Sequence, residues 1–286
     1  MNEEIKALVE AIASLKQEPS YFKDYIFPLA TGLFSSLLGA GVAYFTIKHQ
    51  DYSELQKSRV QAINDWLLSA EGALQSLISI KQNYHGKLDS NPFQRAMEIR
   101  SLIGNTRIID KDITNLAFIV PRKVEPDTHN IKWRQIPRIR SMVQNYNLIV
   151  DTWYKRAEVD RPIKEKLLQD YSQLAYAHVN REQIFNSVGA ANLTLLIGIT
   201  EKAIKLTDDL ILEYHDFLQH FPEMAKTLIT KKYSDKYGPI LTFSTDGNPI
   251  LVNLMEKSIE VDFSVLAQLF GESEEKVRAE YETGYE

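Results

Sequence analysis

The sequence predicts a mainly helical protein: a single N-terminal transmembrane helix, then a helical-bundle soluble domain with a small β-hairpin element near the C-terminus. Three observations carry this. Residues 25–47 hold no charged side chain. Apolar residues then recur at helical spacing over Val60–Leu77. Near the end, the turn-rich tetrapeptide Thr245-Asp246-Gly247-Asn248 lies between two short apolar runs. The predicted organisation is a short segment at 1–24, the membrane helix at 25–47, a helical domain at 48–235 and a small β-hairpin plus helical hairpin at 236–286.

The uncharged run of 23 residues is bracketed by Lys23 and Asp24 on one side and Lys48 and His49 on the other. At helical rise it covers about 30 Å, the thickness of a bilayer's hydrocarbon. Tyr25, Phe27, Tyr44 and Phe45 lie near its ends, where aromatic rings favour the headgroup level. The alternatives are a buried core helix and a cleaved signal peptide ending near Gly41-Val42-Ala43. Lys48, Lys57 and Arg59 outnumber Lys16 and Lys23, which places the C-terminal domain in the cytoplasm, and the anchor in the inner membrane if the source is bacterial. Small residues recur every four positions, Gly32, Ser36 and Ala40 beside Ser35, Gly39 and Ala43. Such faces let helix backbones pack closely in lipid, so self-association is expected.

Val60, Ile63, Leu67, Ala70, Leu74 and Leu77 follow spacings of 3 and 4. The seam is too short for a long coiled coil and reads as a bundle helix, continuous with the membrane segment; shared between copies, it would also favour parallel association. Asn91, Pro92 and Gln94 mark the start of the next helix, expected to run to about Val120. Further helices are expected at 138–158, 163–186, 187–206 and 207–221. The uncharged run 183–200 carries Gln183, Asn186, Asn192 and Thr194 and reads as a core helix, with a second span as the alternative. Ile240–Phe243 and Ile250–Leu254 read as the hairpin strands, and Ser258–Asp262 as a third short strand.

In composition the 286 residues are 44% hydrophobic and 25% charged, an ordinary globular balance. There is no cysteine, which excludes disulfides, a thiol nucleophile and cysteine-bound metal. A net charge of −5 speaks against a dedicated nucleic-acid binder. Phosphate-loop, zincin, nucleophile-elbow and EF-hand patterns are missing, and no cofactor is expected.

Two polar constellations remain. Asp209, Glu213, Asp216 and His220 fall on one helical face, where they could hold a cation or act as an acid–base group; the competing reading is a solvated face. Arg122, Lys123, Lys132, Arg134, Arg138 and Arg140 surround Trp133, against only Glu125 and Asp127. Such a patch suits an anionic lipid headgroup, a nucleotide or a nucleic-acid strand, or is an ordinary basic surface.

Phe263–Tyr281 resembles a helix-turn-helix of the bacterial regulator type, with Leu266-Ala267 packing, Gly271 turning and Ser273 capping before Val277-Arg278. Glu274, Glu275 and Glu280 would repel phosphates, so it reads as a packing hairpin. The layout as a whole is similar to that of bacterial membrane-tethered accessory proteins, including effectors of anti-phage defence. That likeness implies a non-enzymatic, oligomeric sensor or effector that contacts membrane lipid and a protein partner or anionic ligand. A passive scaffold and a hydrolase using the acidic–histidine face are the alternatives.

Overall fold

The computed structural model describes residues 2–15, 20–100, 106–121, 131–171, 181–244 and 249–285. The protein is mainly helical, 80%, and has no strand among the described residues. It divides into two compact units, Met1–Gln56 and Lys57–Glu286.

The first unit holds α1 (Asn2–Leu15), a π-helical turn at Phe22–Ile26 and the beginning of α2 (Phe27–Gln82). Along residues 27–47 the apolar side chains point out in every direction. Leu29, Leu33, Phe34, Leu37, Leu38, Val42 and Phe45 are each more than half exposed. This helix is long and apolar enough to cross a membrane, and its most apolar window has no buried residue.

The second unit is a bundle around α2, α4 (Ile136–Tyr171) and α6 (Ala190–Lys226). The seam Val60, Ile63, Leu67, Ala70, Leu74 and Leu77 is buried throughout, at 3% exposure or less. It packs into this unit's own core with Trp133, Tyr146, Trp153, Tyr214 and Phe217. These residues therefore fill an intrachain core, and the seam is closed to a second copy. Helix α3 (Pro92–Glu98) begins as expected at Asn91, whose side chain accepts the Phe93 N–H at 2.9 Å. Gln94 reaches back to the N–H of Asp89.

The helix expected to run to Val120 stops at Glu98. Its last carbonyls are taken by cations from another helix: Arg156 donates to Ala96 O and Ile99 O, and Lys164 to Ile99 O. Those bonds replace the next turn. Residues 106–111 then belong to no helix or strand, and Ile113–Ile119 forms a 3-10 turn. Conversely, α4 continues through Pro162 and α6 through Thr207, where separate helices were expected. The uncharged run 183–200 is broken at Gly189, whose φ of 79° is the left-handed region open to glycine. It forms α5 (Arg181–Val188) and the start of α6, bent by 110°. Leu193, Leu196 and Ile197 are buried there against the C-terminal helices, as a core segment would be.

The expected β-hairpin is not supported: no strand forms among the described residues. Ile240–Phe243 belongs to no helix or strand, and side chains stand in for a partner strand. Asn64 donates to Pro239 O and accepts from the Leu241 N–H, and Gln219 donates to Phe243 O. The tetrapeptide 245–248 lies outside the described residues. After α7 (Lys231–Tyr237), Ile250–Leu254 falls in α8 (Pro249–Met255), a helix led by its proline. Residues 258–262 are likewise bonded without a strand: Ser258 N–H to Asp208, Ile259 O to Arg95, Asp262 N–H to Ser90 O. The closing helical hairpin is present as α9 (Phe263–Phe270) and α10 (Glu274–Glu280), turned at Gly271 and capped by Asp262 and Ser273. Leu266 and Val277 are fully buried, and Phe270 and Tyr281 approach Gly198 of α6. The hairpin packs on the bundle.

Candidate functional site

Helix α6 carries a column of buried acids through the bundle: Glu201, Asp208, Asp209 and Glu213, each 5% exposed or less. A buried carboxylate needs a cation or several donors to remain charged. Each of these acids meets a base from a different segment. Arg95 of α3 donates Nε to both oxygens of Glu201, at 2.9 and 3.0 Å. Lys81 of α2 sits 2.7 Å from Asp208, and Lys257 2.8 Å from Asp209. Thr283 also donates to Asp209.

At the next step along α6 the two constellations found in the sequence meet. Lys132 Nζ lies 2.8 Å from Glu213 and 2.7 Å from Asp216. Arg138 donates Nε to Glu213 Oε1 at 2.8 Å and a terminal nitrogen to Oε2 at 3.3 Å. Trp133 is buried, and its indole N–H donates to Asp216 at 3.0 Å while its ring meets Phe217 edge-on at 4.9 Å. His220 lies 2.8 Å from the other Asp216 oxygen. Lys132 also sits over the Trp133 ring, at 4.7 Å.

The acidic face and the basic patch therefore neutralise one another. Burial raises the Asp216 pKa, but Lys132, His220 and Trp133 outweigh it and hold the carboxyl below its usual range. The Glu213 carboxylate pushes the Arg138 guanidinium up. Asp209 is turned to Lys257, away from this group. No cluster of three or more acids and histidines among the described residues could hold a metal ion. The metal reading fails because lysine and arginine occupy the carboxylate oxygens a cation would need. Arg140 is exposed, and Arg134 is half-buried with its Nε facing no partner. Arg122 and Lys123 lie outside the described residues.

Glu213→Gln is expected to lower stability by about 2 kcal/mol, since it weakens two charge-assisted contacts whose bases are part exposed. A double-mutant cycle with Arg138→Met in urea unfolding reads the coupling. Additive losses would mean that the pair contributes nothing.

The sequence did not point to a cleft of about 890 Å³ between α2, residues 106–111 and α4. Ser69, Ser76 and Ser79 line it, each hydroxyl donating to the carbonyl four residues earlier. Asn147 holds residue 109 across the cleft's edge, accepting from the Ile109 N–H and donating to its carbonyl. These long-range contacts leave no periodic trace in the sequence.

Gly32, Ser35, Ser36, Gly39, Ala40 and Ala43, expected from the sequence to pack between membrane helices, are all exposed on α2. A Cβ built on Gly32 or Gly39 meets nothing within 4 Å. Comparison with protein-family models, with curated proteins and with solved structures gave no match.

Proposed function

We propose that the protein is a membrane-anchored, self-associating sensor or effector that works by binding a protein partner and carries out no catalysis. The observation that carries this reading is the bare apolar surface of residues 27–47. The core helix of a soluble protein is covered by its own chain; this stretch is uncovered on all sides, and lipid or a neighbouring span is the medium that suits it. The small-residue faces give such spans a place to pack. The pairing of Glu213 and Asp216 with Lys132 and Arg138 supports binding over hydrolysis, because the acids and bases of a hydrolytic site are here committed to each other. The same pairing favours a protein partner over an anionic ligand.

The test is alkaline carbonate extraction of membranes holding a C-terminally tagged chain, with protease protection in spheroplasts. The chain is expected to stay in the washed membrane with its tag protected. Leu37→Arg, at an insertion cost of about 3 kcal/mol, is expected to shift most of it out of that fraction. Release of the unaltered chain by carbonate would sink the reading.

A further inference from the structure

Helix α1 lies N-terminal to the bare apolar stretch of α2. Its described side chains, Glu3 to Ser14, are all exposed. Ile5, Leu8, Val9 and Ile12 are 54–63% exposed and share one face. In sequence, Ile5, Leu8, Ile12 and Leu15 follow spacings of 3, 4 and 3, with β-branched isoleucine at both first positions and leucine at both fourth positions of a heptad. That alternation is the preference of parallel two-stranded coiled coils. We infer that the Ile5–Leu8–Ile12 face of α1 is an interface for a second copy of this chain, joined as a parallel helix pair.

Charge separates this occupant from a bilayer surface. The polar face carries Glu3, Glu4 and Glu10 against Lys6. Helices that lie on membranes carry lysine and arginine there. An acidic face lacks that attraction. In a parallel pair the same acids cause no conflict. Glu3 and Glu10 fall at the outermost positions, and Glu4 flanks the seam opposite the partner's apolar Val9.

Length points the same way. Fourteen residues are too few for a stable helix alone in water, and burial of the apolar face against another helix supplies what is missing. The parallel sense rests on the membrane reading above: copies anchored in one bilayer start from the same side, at high effective concentration.

The chain contains no cysteine, so a single introduced thiol reports on one position. The experiment uses full-length Ile5→Cys, Leu8→Cys, Ile12→Cys, Lys6→Cys and Glu10→Cys in carbonate-washed membranes and in the wash, oxidised with copper-phenanthroline. Disulfide-linked dimer is expected to be at least about fivefold more abundant for positions 5, 8 and 12 than for 6 and 10. Equal yields around the helix in membrane-retained protein would overturn the interface while leaving the anchor intact. Dominant mixed pairs between co-expressed Leu8→Cys and Ile12→Cys chains, with little same-position product, would overturn the parallel sense. A polarity-sensitive dye on Leu8→Cys that shifts to the blue in dilute vesicles without cross-linking would assign the face to lipid and also overturn it. Recovery of the chain in the wash tests the anchor separately, since the seam pattern is read in both fractions.

Discussion

Replacing Lys81 with methionine is expected to destabilise the helical unit by about 3–5 kcal/mol, the cost of leaving a buried charge without its partner. Lys81 is fully buried, and Asp208 is 4% exposed. The ammonium sits 2.7 Å from Asp208 and also donates to the carbonyl of Glu256, tying the C-terminal end of α2 to α6 and to the loop after α8. Asp208 in turn accepts the Ser258 N–H at 2.7 Å. Methionine fills much the same volume but leaves the carboxylate facing an apolar wall.

The double change Lys81→Met with Asp208→Asn is expected to recover most of the loss. It removes both charges and keeps an acceptor for Ser258. Urea unfolding of the detergent-solubilised full chain, followed by circular dichroism, reads both. Lys155→Met is the control: its pair with Asp151 is an exposed one within a helix, and its effect is expected to fall within the scatter of the measurement. A Lys81→Met loss no larger than that control would show that the pair is solvated.

Whether a feature can be read from the sequence depends on how far its partner lies along the chain. The Val60–Leu77 seam and the 25–47 run are each specified within a few turns of one helix, and periodicity reports them directly. The acidic face of α6 and the basic stretch around Trp133 could also be seen, but as two sites. Lys132 and Glu213 stand 81 residues apart, and nothing local says that they neutralise each other.

The missing hairpin has the same origin. Ile240–Phe243 has the composition of a strand, but its hydrogen bonds go to Asn64 and Gln219, which no turn signal could indicate. The end of α3 is likewise decided by Arg156 and Lys164, some sixty residues away in sequence. Helix α1 is the opposite case: its seam is local, but it is two heptads long, too short to stand out without the exposure of its side chains.

The stability of the bundle is expected to fall as pH rises from about 4.5 to about 7, with Glu201 as the cause. Burial pushes its carboxyl up to about 7; Arg95 and Arg156 pull in the other direction without cancelling the effect. In the unfolded chain the group returns to about 4.5. Between those two values the folded protein holds a proton that the unfolded chain has released. The Glu201 contribution is then greatest below pH 4.5 and declines through the window, because its native carboxyl holds a proton there. A carboxyl moved from 4.5 to about 7 contributes roughly 3 kcal/mol across that window.

His215 acts in the opposite sense. Its own burial lowers its pKa, so it favours the folded state more as pH rises. Comparison with Glu201→Gln removes that contribution, since both proteins keep the histidine. The unfolding free energy of the native chain relative to Glu201→Gln is expected to drop by about 3 kcal/mol between pH 4.5 and pH 7.5. Parallel curves would mean that Arg95 holds Glu201 ionised throughout.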